Sequence, residues 1–275
     1  MKGSSIYIFD AGSTKTDLLI VSNDLTSSYQ LSGYNPNRND NKFSKELKEL
    51  SIPKDAKIFF YGSGVGDSIN RQKVQNLFPL HNINIESDLL GAARSTLFNQ
   101  NGIICILGTG GVAAFYDGHK IINKKGGYGY LIDDIGGGLE LGKTIVSNWL
   151  NHNYNEDTNK QIQAYFNWSS ENFTSEFYKN KDLHLLSNLC QIIPNLLKND
   201  SNLKQIVKDY FKLFLNRHVL PITKEHKEHT IHIVGSIAHF FYPIIKESAQ
   251  EMNLIINVPL KQPIQNLLKF HLLEK

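Results

Sequence analysis

The chain has 275 residues, 41% of them hydrophobic, and a formal net charge of +3. This length and apolar content allow one large or two ordinary globular domains. The charge is small and the basic residues are scattered among acids, so nothing supports nucleic-acid binding. The apolar runs are far shorter than the stretch of about 20 residues that crosses a membrane, and the first residues lack the apolar region of a signal peptide. We therefore expect a cytoplasmic protein.

The first half of the sequence predicts an α/β layer. Residues 6–9 and 18–21 are apolar runs joined by a polar, glycine-bearing segment, which predicts a β-hairpin. Strands and amphipathic helices then follow one another along the chain. The predicted strands are 57–61, 83–86, 102–107 and 113–116, and the predicted helices are 41–50, 66–77 and 90–98.

The second half, from about residue 144, is mostly helical in its pattern. Apolar residues recur at helical spacing through 158–220, and an apolar run at 230–234 predicts one more strand. A final amphipathic helix is predicted at 264–270. The change from a glycine-rich to a helical composition indicates two lobes.

The hairpin turn at residues 10–17 is a candidate phosphate site. Its small residues let the backbone approach an anion, Ser13 and Thr14 can donate hydrogen bonds, and Asp10 can hold Mg²⁺ through water. The alternative is an ordinary polar hairpin. No GxxxxGK[ST] P-loop occurs in the sequence.

Two further glycine turns follow apolar strands. Gly108, Thr109 and Gly110 come directly after the strand at 102–107, and Gly235 with Ser236 follows the strand at 230–234. Each is also typical of a plain turn. The turn at 108–110 becomes a phosphate-site candidate only because it resembles the hairpin turn at 10–17, and two such loops could bind a phosphate chain together. The glycine at 235 could lie flat against an adenine or a ribose.

Five segments carry a resemblance that spans nearly the whole chain. They are DAGSTKTD, ESDLLGAARS, CILGTGG, GGYGYLIDDIGGGLELGK and IVGSIAHFF, in that order. This order resembles the sugar-kinase and dehydratase-activator ATPase family, the BadF/BadG/BcrA/BcrD ATPases, which includes N-acetylglucosamine kinase. The resemblance implies an α/β fold of two ribonuclease-H-like, actin-like ATPase lobes, 1–113 and 114–275, with ATP and Mg²⁺ in a cleft between them. It also implies that the last helix, at about 262–274, packs back on the first lobe.

The resemblance implies an ATP-dependent kinase that phosphorylates a hydroxyl of N-acetylglucosamine or a related amino sugar. Asp88 is implied as the general base, and a helix N-cap is the alternative for it. Asp10 is implied beside the Mg²⁺. The implied ATP contacts are Gly12, Ser13, Thr14, Lys15, Gly108, Thr109, Gly110, Gly235 and Ser236, and the implied sugar contacts are Asn35, Asp88, Gly111, Tyr128 and Asp134. At Asn35 a turn, and at 126–129 a plain glycine loop, are the alternatives.

The chain departs from the family pattern at three positions. Gly111 and Val112 stand where the family has Ser and Asn, and Ile135 stands where it has an acid. A different amino sugar, or a catalytically weak or silent sensor of sugar or nucleotide, therefore stays open. A dehydratase-activating ATPase needs cysteines that ligate an iron–sulfur cluster, and the predicted positions of Cys105 in a buried strand and Cys190 in a helix argue against it. A homodimer, common in the family, is also expected.

Overall fold

The computed structural model describes residues 5–23, 25–38, 41–260 and 263–273. They form two compact units. The first comprises the described residues of Met1–Asn101, Tyr116–Ile121 and Gln262–Lys275, and the second those of Gly102–Phe115 and Ile122–Lys261. The predicted boundary at 113 differs from this division, because the strand Gly102–Leu107 pairs with Thr230–Val234 in the sheet of the second unit. No helix among the described residues is long and apolar enough to span a membrane.

The elements are given in chain order. The strands are β1 (Ile6–Ala11), β2 (Lys15–Ser22), β3 (Leu25–Ser32), β4 (Lys57–Gly62), β5 (Ile83–Ser87), β6 (Gly102–Leu107), β7 (Gly111–Tyr116), β8 (Ile121–Gly126), β9 (Thr230–Val234) and β10 (Ile255–Ile256). The helices are α1 (Lys42–Glu49), α2 (Ser68–Leu77), α3 (Asp88–Leu97), α4 (Gly138–Leu150), α5 (Glu156–Phe166), α6 (Ser170–Asn180), α7 (Leu183–Leu189), α8 (Ile193–Leu196), α9 (Ser201–Phe214), α10 (Leu220–His226), α11 (Ser236–Phe240), α12 (Tyr242–Gln250) and α13 (Pro263–Leu273). A π-helical segment, Leu215–Val219, joins α9 to α10.

The sheet of the first unit has the strand order β3-β2-β1-β4-β5. The pairs β1–β2 and β2–β3 are antiparallel, and β1, β4 and β5 run parallel. The central strand β1 is apolar from Ile6 to Phe9 because both faces of the sheet are covered, and the polar Asp10 comes near its carboxyl end. Tyr7 and Phe9 pack with Phe43 of α1 on one face, whereas Ile8 packs with Leu267 of α13 on the other.

The last helix, α13, packs on the sheet of the first unit and on α3. Its His271 lies with Nε2 2.9 Å from the hydroxyl of Tyr61 on β4, and the imidazole stacks on Phe59 at 3.6 Å between ring centroids. Residues 262 and 274 of the helix predicted at 262–274 lie outside the described part of the chain.

The second unit has a sheet of order β10-β9-β6-β7-β8 with helices packed around it. Strands β6, β9 and β10 run parallel. The core of this unit includes a cluster of aromatic rings in which Trp149 of α4 contacts Phe166 and Phe173. Both units combine a sheet with helices, so the predicted α/β class is confirmed.

Candidate functional site

Three parallel strands of the first unit end side by side, and a polar or glycine residue follows each one. The register aligns Ala11 of β1 with Gly62 of β4 and Gly62 with Ser87 of β5. The next residue along each strand is Gly12, Ser63 or Asp88. Ligands of open α/β sheets bind outside the carboxyl ends of the strands. This edge is therefore the natural place for a site in the first unit.

The turn between β1 and β2 is held in one shape by the backbone. Gly12 N–H donates to Lys15 O at 2.9 Å, which closes the turn. The segment that follows β3 lies against it, because Gly33 N–H donates to Thr14 O at 3.2 Å and Tyr34 N–H to Gly12 O at 3.0 Å. A Cβ on Gly33 would come within 2.5 Å of the Thr14 backbone, so glycine is required for this close approach.

A cluster of three side chains joins this turn to the ends of β3 and β4. Asn35 Nδ2 lies 3.2 Å from Ser13 Oγ and 3.5 Å from Ser63 Oγ, and the two hydroxyls are 3.4 Å apart. Asn35 is oriented by a bond of 2.9 Å from Asn37 N–H to its Oδ1. The structure thus brings together Ser13 and Asn35, which the sequence singled out, and adds Ser63, which it did not. Ser63 stands between two glycines after an apolar strand, a signal that resembles the other candidate loops.

Carboxylates concentrate beside the turn. Asp10 pairs across the hairpin with Asp17, whose Oδ2 lies 2.7 Å from the exposed Lys15 ammonium. Burial raises the pKa of Asp10 to about 7, the carboxylates of Asp17 and Asp88 add to this rise, and Lys15 opposes it. Crowded like charges favour uptake of a proton or a cation.

This environment fits a magnesium ion held at Asp10. Carboxylate oxygens are ligands that Mg²⁺ accepts, and it usually keeps several waters and phosphate oxygens as well. Among the described residues, no group of three His, Cys, Asp or Glu side chains could hold a metal ion. An ion at Asp10 would therefore need water and phosphate oxygens to complete its shell.

Asp88 is the first residue of α3, and the N-cap is its neighbour. Ser87 Oγ accepts the Leu90 N–H at 3.2 Å, as an N-cap does, while Asp88 Oδ1 accepts the Leu89 N–H at 2.8 Å. The capping role that the sequence left open for Asp88 thus falls to Ser87. Asp88 is half-buried and lies close enough to Asp10 to influence its pKa.

In the second unit, the glycine turn Gly108–Gly110 links β6 to β7. Its carbonyls are bound by the start of α4, since Gly138 N–H donates to Gly108 O at 2.8 Å and Leu139 N–H to Thr109 O at 3.1 Å. A Cβ on Gly108 would meet nothing within 4 Å, so space is open beside this residue.

The turn after β9 lies next to the end of β6. Gly235 has φ +108°, and a Cβ there would overlap Leu107 O, which accounts for glycine at this position. Ser236, which follows it, is exposed.

Asp134 lies against the glycine turn. A Cβ on Gly110 would fall 2.8 Å from its carboxylate. Burial raises the pKa of Asp134, the N–H of Gly129 lowers it, and the carboxylates of Asp133 and Glu140 raise it. Tyr128, in the same loop, is 59% exposed, with the Lys124 ammonium 5.4 Å from the centre of its ring.

The departures from the family pattern have structural explanations. Gly111 is buried, and a Cβ on it would overlap Ile135 O. The Ile135 side chain packs against the core of the second unit. Val112 lies against Gly127, where an added Cβ would be 3.0 Å from the valine Cβ. The apolar residue at 135 is therefore part of the packing.

The predicted site residues fall in both units. Asp10, the turn at 12–15, Asn35 and Asp88 belong to the first, and the turn at 108–111, Tyr128, Asp134, Gly235 and Ser236 belong to the second. Their roles toward ATP, metal and sugar stay predictions.

Solved structures share this fold over nearly the whole chain. No protein-family model matches the sequence, and no curated protein matches it. A Porphyromonas gingivalis protein described as a putative N-acetylglucosamine kinase is 24% identical, with 98% of each chain covered and a TM-score of 0.84. A protein of the same description from Chromobacterium violaceum is 14% identical, with 97% of this chain and 98% of that one covered and a TM-score of 0.74. A ROK family glucokinase from Streptomyces griseus, in complex with glucose and AMPPNP, is 10% identical, with 97% of each chain covered and a TM-score of 0.59.

These likenesses establish the fold. The chain has the two-unit α/β fold of sugar kinases and actin-like ATPases, as the sequence resemblance predicted. The TM-scores of the Porphyromonas and Chromobacterium proteins, 0.84 and 0.74, are higher than the 0.59 of the Streptomyces glucokinase.

Proposed function

We propose that this chain is an ATP-dependent sugar kinase that transfers the γ-phosphate to a hydroxyl of N-acetylglucosamine or a related amino sugar. The observation that carries the proposal is the edge of the first sheet, where the Gly12–Thr14 turn, Ser63 and Asp88 follow three parallel strands in register. A hydroxyl-bearing turn, a metal-binding carboxylate and a second carboxylate are the parts that phosphoryl transfer needs.

Asp88 acts as the general base in this proposal. Its Oδ1 accepts the Leu89 N–H, which orients the carboxyl group at the end of β5, where a carboxylate can accept the proton of an attacking sugar hydroxyl. Such a base contributes about 10²–10⁴-fold to the rate. The rest of the acceleration comes from positioning the two substrates and from neutralising charge on the phosphates.

ATP phosphates would contact the turn at Gly12, Ser13 and Thr14 and the turn at Gly108–Gly110. The exposed Thr14 and the open space beside Gly108 support this assignment, and so does AMPPNP in the glucokinase of the same fold. Mg²⁺ at Asp10 would supply positive charge beside the transferring phosphate.

The sugar would contact Asn35, Ser63 and Asp134. Asn35 is held by neighbouring polar groups and can present its amide in one orientation. The structural neighbours described as N-acetylglucosamine kinases favour an amino sugar. Asp134, half-buried next to Gly110, is a hydrogen-bond acceptor suited to a ring hydroxyl.

Two alternatives lose support. The hypothesis of a sensor rested in part on Ile135, whose side chain packs against the core of the second unit. The dehydratase-activating reading needs accessible thiolates, whereas Cys105 and Cys190 are both buried and burial raises the pKa of each thiol. A thiol kept protonated is a poor cluster ligand.

The test is ATP consumption, measured by coupled release of ADP with Mg²⁺ present and a panel of N-acetylglucosamine, N-acetylmannosamine, N-acetylmuramic acid, glucosamine and glucose. The proposal requires ADP release that depends on one of the amino sugars. Binding of ATP and sugar by calorimetry without turnover would instead establish a sensor. Absence of ATP and ADP binding would remove the proposal altogether.

A further inference from the structure

A carboxylate and an imidazole form a buried pair beside the 126–134 loop of the second unit. His218 Nε2 lies 3.0 Å from Asp133 Oδ2, the geometry of an N–H donating to a carboxylate. His218 is 2% exposed, and the Asp133 side chain is 9% exposed. Arg217 Nη2 lies 3.5 Å from the same oxygen.

Asp133 also closes the loop through its backbone. Tyr128 N–H donates to Asp133 O at 3.0 Å, and Asp133 N–H donates to Gly129 O at 3.0 Å. The next residue is Asp134, whose carboxylate takes a hydrogen bond from the Gly129 backbone. An isolated β-bridge between Gly129 and Asp133 closes this loop. The side chain of Asp133 then connects the closed loop to His218, which lies 85 residues further along the chain.

The other partner lies on the π-helical segment Leu215–Val219. Such segments are rare and are frequent at functional sites. The surroundings of His218 are close-packed: a Cβ on Gly126 would fall 2.9 Å from its Cε1, and the ring of Phe214 lies 5.5 Å away. Phe214 also lies against Gly136, where an added Cβ would be 2.5 Å from its ring. His218 thus packs against Gly126 and Phe214 against Gly136, so these two side chains support both ends of the segment 126–136, which contains Asp134.

The pair is sensitive to the loss of either member. Asp133 Oδ1 and His218 Nδ1 are buried and make no hydrogen bond to any described residue. Removing the imidazole takes from Asp133 Oδ2 its nearest donor and leaves only the more distant guanidinium of Arg217, which is largely exposed. A buried carboxylate oxygen that loses its hydrogen-bond donor is costly, because it is also shielded from water. The loop can avoid that cost only by moving Asp133 toward water, and Asp134 would move with it.

We propose that His218, through Asp133, is a positioning residue that holds Asp134 in the orientation in which it binds the sugar. The inference rests on the proposed function, because only there is Asp134 a sugar contact. It concerns the binding of sugar and not the binding of nucleotide.

Kinetics of a double-variant series test the proposal. His218→Phe is expected to raise the KM for the sugar about tenfold or more and to change the KM for ATP less than about twofold. His218→Gln, whose amide can still donate to Asp133, should recover most of the loss. In an Asp134→Asn background, His218→Phe should add less than about threefold, because a positioning residue has little left to position. Fully multiplicative effects would show that His218 does not act through Asp134.

The matched control is His226→Phe. His226 lies on α10 and stacks on Phe115 at 3.8 Å between ring centroids. This variant also removes an imidazole from the second unit, and its kinetic constants should match the wild type. If His218→Phe does not fold, Asp133→Asn is the substitute variant, because it keeps the side-chain volume. It should also raise the KM for the sugar, by a smaller factor than His218→Phe.

A second readout separates failure of this inference from failure of the proposed function. Hydrogen exchange at the amides of Tyr128 and Asp133 should be about tenfold faster in His218→Phe and unchanged in His226→Phe. Unchanged exchange in His218→Phe refutes the anchoring even if the chain proves to be a kinase. A wild-type chain without sugar-dependent turnover refutes the kinase and with it the sugar-binding part of this inference.

Discussion

The docking of α13 on the first unit should depend on pH through one histidine. His271 is 8% exposed, and its Nε2 accepts the Tyr61 hydroxyl, which in turn accepts a bond of 3.1 Å from Arg94. Burial, and then the positive charge of Arg94, lower the pKa of His271 from its ordinary 6.5 to about 4. The imidazole is thus neutral in the folded chain at neutral pH.

The sign of the effect follows from proton binding. Between pH 6.5 and 4 the unfolded chain protonates this histidine and the folded chain does not, so acid favours unfolding. His271 therefore contributes stability above about pH 6.5, and this contribution is lost as the pH falls toward about 4. A difference of about 2.5 pH units corresponds to a loss of about 3 kcal/mol in the free energy of unfolding.

The variant His271→Gln isolates this contribution, since glutamine does not titrate and can still accept the Tyr61 hydroxyl. The measurement is urea unfolding followed by circular dichroism between pH 4 and 8, and the quantity is the difference in unfolding free energy between wild type and variant. Asp10, whose pKa burial raises to about 7, changes stability in the opposite direction, but it is common to both proteins and cancels. His119→Gln, at an exposed position, controls for the replacement of a histidine. A difference that stays constant with pH would refute the burial argument.

The remaining predictions concern the candidate site. Asp88→Asn should lower kcat by about 10²–10⁴-fold with ADP affinity unchanged in calorimetry, whereas Asp182→Asn at the N-cap of α7 should not; equal losses would contradict the general-base role. Gly111→Ala should lower the melting temperature by several degrees because its Cβ would overlap a carbonyl, while Gly108→Ala should keep the melting temperature and raise the KM for ATP. A melting temperature unchanged in both would contradict the packing argument. Ser63→Ala should raise the KM for the sugar by about 2–12-fold, the loss of one hydrogen bond, and an unchanged KM would remove Ser63 from the site.

The sequence predicted the strands whose faces are buried and missed the exposed edge strand β3. The apolar runs of β1, β4 and β6 are strong signals because both faces of each strand are covered. β3 is an edge strand exposed along most of its length, with the sequence LTSSYQLS, so no hydrophobic alternation marks it. The start of α4 at Gly138 was not predicted, because glycine is a weak helix former, and the helical pattern was placed only from about residue 144.

Some residues of the candidate site could also be predicted from the sequence, and others could not. Turns with glycine and hydroxyl residues after apolar strands have a local signature, which marked Ser13 and Asn35 separately, and the structure places these two side chains in contact. The pair of Asp133 with His218 joins residues 85 positions apart. No spacing rule links such residues, and the π-helical turn that directs His218 has no periodic signal of its own.

The glycines around the second turn show why that turn can be shaped before a ligand arrives. Glycine at 111 lets the backbone of β7 approach the carbonyl of Ile135, and this close approach brings the start of α4 within reach of the turn. The N–H groups of Gly138 and Leu139 are then used by the carbonyls of Gly108 and Thr109. Because these donors are occupied, a phosphate in the second unit would bind to the turn at 108–110 itself and not to the helix N-terminus. A turn fixed in this way loses little conformational entropy on binding, which favours affinity without added contacts.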